Sequence, residues 1–84
     1  MLKAGQMFRV TSEMVAIEPS ENRMHAVVIP VGELICLVSY PCKADDRMAD
    51  VLWGQRPIVV FSRDLQLRAN EIRAMAAARA AGRN

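Results

Sequence analysis

Aromatic side chains are scarce in this chain, with one Trp, one Tyr and two Phe among 84 residues. A platform that stacks successive bases needs several exposed rings, so the scarcity argues against single-stranded nucleic acid as the partner. Histidine occurs once and cysteine twice, as His25, Cys36 and Cys42. A structural zinc site takes four ligands, usually with its cysteines closely paired, and five residues separate Cys36 from Cys42, so no metal is expected. The four glycines, Gly5, Gly32, Gly54 and Gly82, stand alone, which excludes a glycine-rich phosphate loop. Long apolar runs are missing as well. The uncharged stretch Leu34–Cys42 falls far short of the roughly 20 residues that a membrane-spanning helix needs. The opening MLKAGQMFRV carries Lys3 but no apolar signal-peptide core, so a cytoplasmic protein with no membrane partner is the expectation.

What the chain does have is apolar bulk. Hydrophobic residues make up 52% of it, too many for a disordered segment and enough for one small domain over residues 1–84. The net charge of +2 implies no nucleic-acid partner by itself. That charge is uneven. Residues 1–62 carry six Lys/Arg against seven Asp/Glu, whereas residues 63–84 carry five arginines against Asp64 and Glu71. Arg63, Arg68, Arg73, Arg79 and Arg83 are spaced by five, five, six and four. At about 100° per residue they drift around a helix and do not line one stripe, as on a solvated helix face.

Gln6–Val10 and Met14–Ile17 read as a first strand bent at Thr11–Glu13. Glu18–Asn22 is rich in turn formers. Met24–Ile29 and Glu33–Tyr40 read as the strands of a hairpin around Pro30-Val31-Gly32, with proline at the turn's second position. Pro41–Ala49 is polar and loop-like. Met48–Trp53 and Pro57–Phe61 then form a last hairpin, in which Gly54 suits the first central position of a type II′ turn. After Ser62 the period changes. Leu65, Ile72 and Met75, with Ala69 and Ala76 beside them, follow helical spacing, and Ala74–Ala81 has the highest helix propensity in the chain. A C-terminal helix is therefore expected over about 65–81, started by Asp64 or Asn70 and stopped by Gly82.

The strands are apolar at both parities. Leu34, Cys36, Val38 and Tyr40 fall on one side of their strand, with Ile35 and Leu37 on the other, and Ala26–Val31 and Ile58–Phe61 behave alike. A sheet with one wet face alternates apolar and polar residues, so both faces here should be covered. One set of side chains can fill a small barrel. The other needs the C-terminal helix, a second subunit, or both, which implies a homo-oligomer with Leu65, Ile72 and Met75 at its contact.

Five short strands, a Pro-x-Gly turn, a Trp-Gly hairpin and a closing Asp-Leu resemble an SH3-like barrel over residues 6–65, mainly β with one C-terminal α-helix. More narrowly, Val28-Ile-Pro-Val-Gly-Glu33, Val51-Leu-Trp-Gly-Gln-Arg56 and Val60-Phe-Ser-Arg-Asp-Leu65 followed by Arg68 resemble very short bacterial proteins found in environmental genomes and integron gene cassettes. The resemblance covers roughly Gly5 to Ile72. It implies a fold, and it carries no activity, cofactor or site residue.

The chemistry-bearing residues form no constellation. Cys36, mid-strand among Ile and Leu, reads as a small buried hydrophobe. Cys42 would need a base to act as a nucleophile, and His25 is the one histidine on offer. A Cys36–Cys42 disulfide would require an oxidising compartment. Asp45, Asp46 and Asp50 lack the alternating ligands and glycine of a calcium loop. No catalytic residue and no cofactor is assigned. Trp53 lies inside an apolar strand and reads as core. Tyr40, with Lys43 and Arg56 on neighbouring loops, is the candidate binding cluster. Three functions stay open: a non-catalytic interaction module that self-associates and contacts a protein partner; weak nucleic-acid binding through Arg56, Lys43 and the tail arginines; or a small-ligand or enzymatic site at a subunit interface near Tyr40 or Trp53. The last follows because an 84-residue monomer has little room for a pocket of ~300 Å³.

Overall fold

The computed structural model describes residues 2–43 and 45–72. In chain order its elements are β1 (Met7–Val10), β2 (Met14–Ser20), β3 (Arg23–Ile29), β4 (Leu34–Ser39), β5 (Met48–Trp53), β6 (Arg56–Phe61), α1 (Ser62–Arg68) and β7 (Ala69–Glu71). The seven strands form one antiparallel sheet in the order β3-β2-β6-β5-β4-β1-β7. Runs of Val, Ile and Leu suit these strands because branched side chains pack well on a pleated surface.

Alternation along each strand builds a single core from one face. Phe8, Val10, Met14, Ala16, Ile29, Ile35, Leu37, Ala49, Val51, Ile58 and Val60 are all buried there, joined by Leu65 of α1 and Ala69 of β7. That one cluster includes Ile29 from one edge strand and Ala69 from the other, so the sheet curls around its contents. Helix α1 follows β6 directly, with no side-chain cap at Phe61, and Leu65 is its sole buried residue. The Arg68 carbonyl accepts hydrogen bonds from the Thr11 and Ser12 amides at 2.7 and 3.2 Å. These bonds tie the end of α1 to the bend between β1 and β2.

The mainly β class is as expected, but the sheet is not a closed five-stranded SH3-like barrel. Met7–Val10 and Met14–Ser20 are separate strands with different neighbours: β1 lies between β4 and β7, and β2 lies between β3 and β6. The chain after α1 adds a seventh strand. Three local expectations are also corrected. β3 and β4 are not hairpin partners, because β3 pairs with β2 over its whole length while β4 pairs with β1 and β5. Pro30 begins the intervening turn, accepting from the Glu33 amide at 3.4 Å, and Gly32 takes φ +96°. Glu18, Pro19 and Ser20 continue β2, leaving Glu21 and Asn22 as the tight turn, with Glu21 at φ +48°. The helix expected over 65–81 is confined to Ser62–Arg68 among the described residues, because Ala69–Glu71 pairs with β1 as β7. The expected helical stretch from residue 73 onward lies outside the described residues. The Gly54 expectation agrees with the structure: Trp53 and Arg56 close the β5–β6 hairpin, and Gly54 has φ +65°.

Candidate functional site

The outward side of the sheet is built by the residues between those that fill the core. Cross-strand register sets them in rows. Met7, Cys36, Leu52 and Pro57 follow one another across β1, β4, β5 and β6. A second row runs through Ser39, Asp50, Val59, Ile17 and Ala26 from β4 to β3. A register shift between Leu37 and Ser39 inserts Val38, which is exposed beside them. Leu52 is 37% exposed, Val38 46% and Val15 54%, so no element among the described residues covers this face. Helix α1 cannot do so, because its Leu65 is committed to the core on the other side.

The apolar rows enclose a shallow groove of about 340 Å³, lined by Pro19, Val38, Asp50, Leu52, Pro57 and Val59 among others. Asp50 is its one ionisable side chain, and its carboxylate accepts a hydrogen bond from the Ser39 hydroxyl at 2.9 Å. The surface is thus apolar at its centre, with its single carboxylate already bonded.

A polar ledge lies at the β5–β6 turn, on the core side of the sheet. The two-residue turn sets Trp53 opposite Arg56, and the Arg56 guanidinium carbon stands 4.5 Å from the centre of the indole ring. Arg56 also donates both Nε and Nη2 to the Glu18 carboxylate, at 3.0 and 2.8 Å. The indole Nε1 donates to Glu33 Oε1 at 2.8 Å. The hydrogen bond from Arg56, more than its bare charge, holds the Glu18 carboxyl below its ordinary range. Trp53 packs against the core with part of its surface but is only half-buried and has a polar partner on its edge and a cation on its face. Trp53 is therefore not the simple core residue that its apolar strand suggested. Glu18 and Glu33 escaped the sequence reading, since each reaches the ledge from a distant strand or turn.

The remaining candidates are dispersed. Tyr40 is exposed and precedes a cis Tyr40–Pro41 bond, and Lys43 lies exposed in the loop beyond. Both lie at the end of β5 opposite to Arg56, so the three residues do not form one cluster. The Tyr40 loop is closed by backbone bonds: the Cys42 amide donates to the Met48 carbonyl at 2.8 Å and the Met48 amide to the Asp45 carbonyl at 3.1 Å. Arg47 grips the Asp45 carboxylate through Nε and Nη2, at 3.1 and 2.9 Å. Its hydrogen bonds draw the Asp45 carboxyl down to about 2. Of the expected oligomer contacts, Leu65 is fully buried inside the chain, which removes it from any contact between copies. Ile72 is half-buried, its amide bonded to the Met7 carbonyl at 2.9 Å, and Met75 lies outside the described residues. Cys36 and Cys42 are free thiols. The sheet order places β2, β6 and β5 between His25 on β3 and the strand that leads to Cys42, so the histidine is not set against that thiol. Among the described residues no three His, Cys, Asp or Glu side chains are grouped to hold a metal ion, and no helix is long and apolar enough to cross a membrane.

Comparison of the chain with protein-family models, with curated proteins and with solved structures found no match.

Proposed function

We propose that this protein is a non-catalytic interaction module that associates with a second copy of itself through the outer face of its sheet. The single observation behind this reading is the apolar face between Met7 and Pro19, with Leu52 at its centre. No element covers it among the described residues. The largest apolar patch on a typical monomer measures about 300–600 Å² and is often a contact site. Strands ~4.8 Å apart and outward residues ~7 Å apart along them give this patch about 300–400 Å² per copy. The one carboxylate in the groove, Asp50, already accepts a hydrogen bond from Ser39 of its own chain, so it need not find a donor across the contact. Two such patches fall short of the ~1,200 Å² typical of stable interfaces, so the association is weak and concentration-dependent. The resemblance to short bacterial cassette proteins belongs to the same proposal and adds no activity to it.

Sedimentation equilibrium over a range of micromolar concentrations tests this. The mean mass should rise with concentration in the parent protein. Leu52→Lys, which puts a charge at the centre of the patch on an already exposed side chain, should weaken that rise without changing the circular dichroism. An association constant indifferent to Leu52→Lys would refute the reading.

A further inference from the structure

Strand β3 is an edge. It pairs with β2 through all seven of its residues, from Ser20↔Arg23 to Met14↔Ile29, without a bulge, and no other described strand lies on its far side. Beyond Ile17 its partner β2 loses β6 as a neighbour, since that pairing is confined to Ala16 and Ile17. The two strands continue past that pairing to the turn at Glu21 and Asn22. Exposed edges are ordinarily blunted by proline, lysine, a bulge or brevity. Apart from the charge of Arg23 at its first position, β3 has none of these: its sequence is Arg-Met-His-Ala-Val-Val-Ile, and residues 23 to 26 are all exposed.

We infer that β3 pairs with β3 of a second copy, antiparallel and about a two-fold axis through Ala26. The inference takes the partner, a second copy, from the self-association reading, but it concerns a different surface. A two-fold axis perpendicular to the sheet keeps each face on its own side, so residues of like parity must stand opposite one another. The register centred on Ala26 pairs all seven residues: Arg23 with Ile29, Met24 with Val28 and His25 with Val27. Each copy thus offers alternate backbone N–H and C=O groups to the other. No like charges meet, since Arg23 and His25 face Ile29 and Val27. Met24, Ala26 and Val28 lie on the same side as Pro19, Ile17 and Val15, so the apolar outer rows run on across the junction. A register centred on His25 would set two imidazoles opposite each other and leave Val28 and Ile29 of each copy unpaired.

Directly opposed residues of an antiparallel pair have Cα atoms about 4.5–5.5 Å apart, within the range a disulfide bridges. Ala26 alone meets itself. In a Cys36→Ser, Cys42→Ser background, Ala26→Cys should convert under mild oxidation to a disulfide-linked dimer. Val31→Cys, also exposed but beyond the strand, should stay monomeric. Adding Leu52→Lys should leave the Ala26→Cys dimer intact, because the outer-face contact is separate. Equal cross-linking of Ala26→Cys and Val31→Cys would show random collision and overturn the pairing. Absence of cross-linking in a protein that still associates in a Leu52-dependent way would overturn the edge pairing while retaining the outer-face contact. A parent protein that stays at the mass of one chain at all concentrations would overturn both.

Discussion

Leu65 offers the sharpest trial of how this chain is packed, because two arrangements assign it opposite roles. On a helix facing a neighbouring copy it would be a contact residue, and its loss would weaken association. In the structure it is the one buried residue of α1 and is completely enclosed. Truncation of a buried leucine to alanine costs about 2–5 kcal/mol, the spread reflecting how far the surroundings close over the cavity. Helix α1 has seven residues and a single buried anchor, so it can settle partway into the space, and we place Leu65→Ala at about 3 kcal/mol. A chain of 84 residues is stable by only about 4–13 kcal/mol in all, so the loss is a large share. With a urea dependence of about 1 kcal/mol per molar for a protein of this size, the unfolding midpoint should fall by about 3 M. Leu67, two residues on and 68% exposed, provides the control, and Leu67→Ala should change stability by no more than about 0.5 kcal/mol. Both variants should be compared at one fixed, low protein concentration, since association stabilises the folded form by mass action. Equal midpoints for the two variants, or a Leu65→Ala protein of unchanged stability that no longer associates, would refute the packing described.

Other perturbations probe the turns and the ledge. Gly54 has φ +65° with open space around its α-carbon, so Gly54→Ala should cost about 1–2 kcal/mol through backbone strain alone, read from thermal unfolding; an unchanged melting temperature would contradict the turn. Trp53 is the only tryptophan, so its fluorescence reports the ledge directly. Arg56→Ala uncovers one face of the ring and should shift emission to the red, whereas Glu33→Gln retains an acceptor for the indole N–H and should shift it little. Identical spectra for the two variants would remove the stacking. The Asp45 carboxyl, drawn down to about 2, favours the folded loop at pH above its ordinary value of 3.8, and this contribution is lost as pH falls through the lowered value. A carboxyl titration by NMR should therefore find Asp45 still ionised at pH 3, and a midpoint near 4 would contradict the Arg47 grip.

Much of this architecture can be read from residue order, and the exceptions share a physical cause. The strands of the Trp-Gly hairpin are legible because Gly54 allows only a few two-residue turns, and such turns fix the register of the strands they join. Pro30-Val31-Gly32 is just as plainly a turn, yet a turn dictates a change of direction over four residues and says nothing about whether its arms then stay together. Here they separate, because β3 is captured by β2 and β4 by β1 and β5. The true hairpin turn at Glu21-Asn22 is obscured by Pro19, which sits on β2 beyond the reach of β6, where proline is tolerated in a strand. Ala69 fits the helical spacing and Asn70 suits a helix cap, yet they pair with Val10 and Arg9, a case of sheet pairing overriding local propensity. The apolar character of both strand faces was legible in residue order, although the structure leaves Val15, Val38 and Leu52 of one face exposed where a covered face was expected. The polar ledge was not legible, because Glu18, Glu33, Trp53 and Arg56 meet only through the fold.

The position of β1 between β4 and β7 also shapes how the chain reaches this state. Its neighbours come from residues such as Ile35 and Glu71, which register with Phe8. The β2–β3 and β5–β6 ladders, by contrast, close over short turns. Loop-closure entropy favours those two ladders first, and pairings between distant residues slow folding. β1 would then enter late, filling a slot whose far wall, β7, must itself be in place. Phe8 and Val10 are thus the core residues expected to be placed last, and their truncation should speed unfolding more than it slows folding.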